Sequence, residues 1–241
     1  MKPAAKLYEF HVANLRSVGD ALMRVSLAAR RAIATGDERT TSALLRTYAL
    51  LLAAWAECRL RKLLYEPSAF SGPEQKWILS KPTELERWGS SVEVAFRKHY
   101  GVPRAPLSQQ SLPHSAYARF ASINDLMATD LAPVILLRNK LAHGQWAFPL
   151  NDDGDDVAQP QFDALRAENL LTLQFKMALL TSLAAILNDL AVSRPAFERD
   201  FDRHYSLIAQ TRINLRTRSY GQYESSLRLK LHQGRARQSA A

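Results

Sequence analysis

The sequence has a single cysteine, nine glycines and almost nothing that reads as a β-strand, and each shortage closes off a class of protein. Cys58 alone can form no internal disulfide and lacks the companions a structural zinc site needs, so a disulfide-stapled scaffold is excluded and a reducing compartment is expected. So few glycines leave little material for nucleotide cradles. Neither a glycine-rich phosphate loop, nor a His-Glu-x-x-His pair, nor a Gly-x-Ser-x-Gly elbow occurs. The longest apolar runs, "YALLLAAWA" and "MALLTSLAAIL", fall well short of the roughly 20 residues that cross a bilayer. The opening "MKPAAKLYEFHVANLRSVGD" scatters charges where a signal peptide would carry an unbroken apolar stretch. A soluble, cytoplasmic protein without membrane contact is the expectation.

What is present is a chain of 241 residues, 47% of them hydrophobic, enough to build one sizeable core. Its net charge of +9 is unevenly spread. From His204 onward seven Arg or Lys (Arg212, Arg216, Arg218, Arg228, Lys230, Arg235, Arg237) face one acid, Glu224, so six of the nine net charges lie there. Such a segment attracts polyanions, nucleic acid above all, through counterion release; it is equally the composition of a solvated terminus. The division expected is a helical bundle over 1–203 and a basic tail over 204–241.

Helical periodicity dominates. Leu15, Val18, Leu22, Val25 and Ala29 form one stripe between about Lys6 and Thr35, closed by Gly36. Leu44, Tyr48, Leu51, Leu52, Trp55 and Leu63 form another within Thr41 to Glu66, and the two segments read as a helical hairpin. Pro67, Gly72 and Pro73 break the chain. Thr83-Glu84-Leu85-Glu86 fits a capping box opening a third helix that runs to about Tyr100. A fourth region spans about Ser115 to Ala142, kinked or restarted at Pro133. A long helix from about Phe162 to Val192 follows, resuming after Pro195 to about Tyr205. No solenoid repeat appears. The fold class is all-α, an up-and-down bundle of four to five long helices with a basic C-terminal extension.

One stretch, "RNKLAHGQW" from Arg138 to Trp146, puts a cation, an amide and an imidazole at the close of the apolar run "DLAPVILL". The Arg-to-His interval is weak by itself, since Arg199 and His204 repeat it on a charged surface beside Asp200, Asp202 and Arg203. Context separates the two pairs. Arg138 follows "PVILL" directly, so its helix is buried on most sides and the guanidinium needs an anion or an interface. At about 100° per residue Arg138 and His143 lie about 140° apart, so for both to reach one phosphate the helix should end at His143. Gly144 is placed for that, just beyond the last turn. A histidine at a helix C-terminus also feels the negative end of the dipole, which suits an acid.

"RNKLAHG" resembles the Arg-x(4 to 6)-His signature of the HEPN superfamily, compact helical bundles in which an arginine, a polar residue after it and a histidine close a core helix. Arg138, Asn139 and His143 match these positions. The resemblance implies a metal-independent endoribonuclease, with no cofactor, whose active site forms across a homodimer, serving as a toxin or in defence against phage, with an antitoxin or defence-system partner. A tyrosine that one branch carries two residues after the histidine is here Gln145, which disfavours a nucleotidyltransferase antitoxin. The roles implied are His143 as acid or base, Arg138 as phosphate clamp and Asn139 as orienting amide. RNA cleavage without metal needs such a set: a base for the 2′-OH, an acid for the leaving 5′-oxygen and a cation for the phosphate. Lys140, Arg212, Arg216 and Arg218 are the expected RNA contacts. Glu57 can orient the motif or pair with Arg61 one turn away, and Trp146 can stack on a base or pack. The run "NDDGDD" reads as a solvated acidic loop, without the ligand spacing of a calcium loop. The rival to the enzyme is a non-catalytic helical module that holds RNA or a protein partner; a DNA-binding regulator is weaker, since no helix-turn-helix is evident.

Overall fold

The structure, a computed structural model, describes residues 4–239, with side chains placed from 5 to 233. Among these residues the chain is all-helical, and the only β feature is an isolated antiparallel bridge between Leu150 and Val157. Helices α1 (Ala4–Thr35) and α2 (Glu38–Leu64) form the hairpin. Gly36 turns it in the left-handed region at φ 74°, and the Asp37 carboxylate caps α2 by accepting the Thr40 N–H at 3.0 Å. That bond holds the Asp37 carboxyl below its ordinary range. Next come α3 (Gly72–Leu79), α4 (Glu84–Tyr100), α5 (His114–Leu126), a π-helical turn (Met127–Leu131) and α6 (Ala132–Ala142). After a loop follow α7 (Gln159–Ala167), α8 (Leu170–Val192), α9 (Arg194–Thr217) and α10 (Tyr220–Ser239).

Helix α2 is the hub, packed on α1, α6 and α8, while α8 lies against α9 and α4. The stretches His114–Ala142 and Leu170–Val192 are long and apolar enough to cross a membrane by length and composition, longer than the unbroken apolar runs imply. In the fold α8 buries Leu173, Leu180, Leu183, Leu187 and Leu190 against its neighbours, as an interior helix does. An aromatic ladder ties α4, α5 and α9: Phe96 meets Phe120 and Phe197 edge-on at 5.1 and 5.7 Å, and Phe197 meets Phe201 at 5.5 Å.

The fold departs from the sequence reading in four places. The expected break at Gly72 and Pro73 opens α3, because Pro73 suits a first helical turn and Ser71 and Glu74 close a capping box. The single helix expected over 162–192 is two, divided where Asn169 and Thr172 form a capping box at the start of α8. The restart expected at Pro133 comes one residue earlier: α6 opens at Ala132 after the π-helical turn, which puts Pro133 in the first helical turn, where its missing N–H costs nothing. Finally, the boundary expected at Arg203 falls inside α9, where Ile208 is buried beyond it, and α10 returns Tyr223 and Leu227 to the core. Within 204–233 only Ile208 is buried, with Tyr205, Leu215, Tyr223 and Leu227 half-buried against the core; the side chains of Arg235 and Arg237 lie outside the described residues.

Candidate functional site

Helix α6 buries Val134, Ile135, Leu137 and Leu141, which turns the other side of the helix outward. Leu136, Asn139 and His143 are exposed, and at about 100° per residue they fall within about 60° of one another, forming one solvent-facing row. The helix ends where the sequence placed its end. His143 is the cap residue at φ −90°, ψ 18°, and Gly144 turns left-handed at φ 77°. The Gln145 N–H reaches back to Lys140 O at 3.0 Å and the Gly144 N–H to Leu141 O at 3.1 Å, the paired bonds of a Schellman ending.

Trp146 locks this ending. Its indole Nε1–H donates to Leu141 O at 2.9 Å, and its own carbonyl accepts from Arg46 Nε of α2 at 2.5 Å. Trp146 therefore serves as structure on its polar edge, although part of its ring remains exposed. Gln145 Oε1 accepts the Leu150 N–H at 2.9 Å, so that side chain steadies the following loop. In "NDDGDD" the Asn151 side-chain oxygen accepts the N–H groups of Gly154, Asp155 and Asp156, closing a local turn. Among the described residues no group of three His, Cys, Asp or Glu is arranged to hold a metal ion.

Arg138 points the other way. Its guanidinium is ion-paired with Glu57 of α2, with side-chain exposures of 21% and 35%. Glu57 thus takes the distant arginine, and the alternative pairing with Arg61 is not the one formed. No hydrogen bond joins Arg138 to His143 among the described residues: one chain presents the imidazole to solvent and keeps the guanidinium at the α2 seam. Arg138 Nε is buried without a partner among the described residues, as are Trp88 Nε1 and Glu84 Oε1. Each such orphan costs about 1–3 kcal/mol, so this layer between α2, α4 and α6 is not optimised for stability.

Glu84 went unrecognised in the sequence as anything but part of a capping box. It is 6% exposed, with one oxygen accepting from Arg87 Nη1 at 3.2 Å. Burial and then the charge of Glu57 push its carboxyl upward, against the opposing pull of Arg87 and Arg61. The signal was available, because Glu84, Trp88, Ser91 and Ala95 share a four-three-four stripe whose other members are plainly buried. Burial, Glu57 and Glu84 likewise push the Cys58 thiol up, which keeps it protonated and argues against a thiolate nucleophile here.

The expected RNA contacts divide. Lys140 is half-buried and reaches Asp152 at 3.3 Å. Arg212 is drawn into the fold, donating to Asp125 at 3.1 Å, to Asp130 at 2.6 Å and to the Thr129 hydroxyl, so it ties α9 to the π-helical turn. Three acceptors thus already surround the guanidinium that the sequence assigns to RNA. Arg216 and Arg218 are exposed and carry no ion pair among the described residues. The second Arg-x4-His interval behaves as its surroundings dictate: Arg199 pairs with Asp200 at 2.6 Å, and His204 lies 3.4 Å from Asp189 of α8. No protein-family model, no curated protein and no solved structure matches the chain.

Proposed function

We propose that the protein is a metal-independent endoribonuclease of the HEPN kind, acting as a homodimer in the cytoplasm as a toxin or phage-defence effector. The observation that carries this reading is the end of α6: a Schellman turn holds His143 and Asn139 in an exposed row, while one turn back Glu57 fixes a half-buried Arg138. An imidazole in solvent can take or give a proton, and the Arg138 guanidinium, once it leaves Glu57 at the α2 seam, can meet a phosphate with its planar fork. One chain supplies one such histidine. A copy related by a two-fold axis through the row containing Leu136, which is 48% exposed, brings a second His143 and a second Arg138 to the same phosphate. One histidine then accepts the proton of the 2′-OH as that oxygen attacks phosphorus, and the other protonates the departing 5′-oxygen. The products are a 2′,3′-cyclic phosphate and a 5′-hydroxyl. Glu57 serves as a positioning residue that yields Arg138 to the incoming phosphate, and Arg216 and Arg218 add electrostatic capture of RNA.

The exposed Leu136 beside Asn139 also fits a module that only holds RNA or a protein partner. One experiment separates the readings: purified protein is incubated with structured and unstructured RNA in EDTA, beside His143→Ala, Asn139→Ala and Arg138→Ala. Cleavage that persists in EDTA, leaves cyclic phosphate ends and disappears in the His143 and Arg138 variants supports the enzyme. Intact RNA with the parent protein, or equal cleavage by the His143→Ala variant, overturns it.

A further inference from the structure

A cavity of about 360 Å³ opens between the end of α1, the first turns of α2, α7 and α10, and neither Arg138, Asn139 nor His143 is among its walls. Its floor is apolar, from Ile33, Ala49 and Leu165, which are buried, and Leu45, which is half-buried. One wall is Tyr220. Burial and the charge of Glu224 push that phenol upward, so it stays neutral and offers a flat face. Three arginines, Arg46, Arg166 and Arg228, line it together with three glutamates, Glu38, Glu168 and Glu224, of which Glu168 is paired with Lys176. Arg228 is bonded to Glu224 at 2.6 Å.

The other two arginines lack a carboxylate among the described residues. Arg166 makes only a cation–π contact with Phe162, at 5.5 Å. Arg46 donates to neutral acceptors alone, the Trp146 carbonyl at 2.5 Å and the carbonyl and hydroxyl of Ser42. Two guanidinium groups without an ion pair among the described residues, lining one cavity with apolar side chains and a neutral phenol, make a receptor for a particular shape of anion.

We propose that this cavity binds a small flat anion, an aromatic ring or heterocycle bearing one phosphate or carboxylate. Arg46 and Arg166 take the anionic group, and the ring lies against Tyr220 and the floor. The exposed Glu38 at the rim turns away ligands of high negative charge. Occupation also has a route to the end of α6. Arg46 now holds the carbonyl of Trp146, three residues past His143, and an anion that engages this guanidinium competes with that bond. Only this last consequence touches the proposed ribonuclease site; the binding itself stands apart from it.

The test is calorimetric titration of the full chain with phenyl phosphate and with adenosine 5′-monophosphate, against inorganic phosphate and adenosine as halves of the recognised shape. Saturable binding of the two flat anions is expected, about tenfold tighter than either half and weakened about tenfold by Arg166→Ala and by Tyr220→Leu. Arg16→Ala, an exposed position on α1 outside the lining, should bind as the parent does. Arg166 is exposed, so its variant keeps the fold, which a thermal melt verifies. The absence of saturable binding by the flat anions, or binding of equal strength in Arg166→Ala and Tyr220→Leu, overturns the proposal. For the coupling, the indole N–H resonance of Trp146 should move on saturation in the parent and stay fixed in Arg46→Gln; a signal that never moves refutes the link. Neither readout contains RNA, so a protein that fails to cleave RNA still answers both questions.

Discussion

The ion pair between Glu57 and Arg138 joins α2 to α6, and its two ends are unequally placed. Arg138 is 21% exposed, with a buried Nε already lacking a partner, whereas Glu57 is 35% exposed and can turn to water. Removing the acid strands a cation; removing the cation releases an acid that can hydrate. Fully buried pairs cost about 3–5 kcal/mol when one partner is lost, and exposed ones about 0–1 kcal/mol. At this intermediate burial Glu57→Gln should cost about 2 kcal/mol, part of it offset because Glu84 no longer faces the Glu57 charge. Arg138→Gln should cost about 1 kcal/mol, and the double variant should reveal a coupling of about 1 kcal/mol. Urea denaturation at neutral pH measures all four corners of the cycle, and a chain of this size should lose about 4–8 °C of melting temperature in Glu57→Gln. A coupling under about 0.3 kcal/mol, or an arginine loss costlier than the glutamate loss, would refute the view that the carboxylate exists to hold this guanidinium.

Three further outcomes are expected. Gly144→Ala meets no atom within 4 Å, so its cost is backbone strain alone at φ 77°, about 1–2 kcal/mol by denaturation; a neutral result would show that the turn relaxes freely. Glu84→Gln should flatten the pH dependence of stability. With its folded pKa raised, Glu84 binds more protons folded than unfolded, so the parent loses stability as pH rises from the ordinary carboxylate range through that raised value. Denaturation midpoints compared between pH 4.5 and pH 7.5 check the sign. Arg212→Ala should cost about 1–2 kcal/mol of stability through the lost bonds to Asp125 and Asp130 and leave RNA affinity nearly intact. Arg216→Ala and Arg218→Ala should do the reverse, each lowering the salt slope of RNA binding by about one; gel-shift titrations over a salt series read this directly.

Helix ends were the most legible part of the sequence, because they rest on local chemistry. Gly36, Thr83 with Glu86, and Gly144 each terminate or open a helix where a reading of caps alone puts the event. The division between α7 and α8 was hidden by apolar residues on both sides, although Asn169 with Thr172 three positions on carries a capping signal. Helix α10 was missed because it has almost no sided pattern; Tyr223 and Leu227 suffice to seat it. At the site, the row of Asn139 and His143 followed from the helix and its glycine. The choice of Glu57 between Arg61 and Arg138 did not, since it depends on how α2 faces α6, a relation between segments 81 residues apart.

The π-helical turn at Met127–Leu131 has a bearing on how this chain can change. A wider turn stores one residue more than an α-helix passing through the same space, so the helix behind it keeps its orientation despite the surplus. Loss of a residue from that turn can be absorbed by tightening it, leaving Arg138 aimed at Glu57. Loss of a residue between Val134 and Leu137 has no such slack and swings everything beyond it by about 100°, carrying Arg138 off the seam and His143 off the exposed row. The tolerance of the site to length change is therefore asymmetric: generous one turn before Pro133 and absent one turn after it.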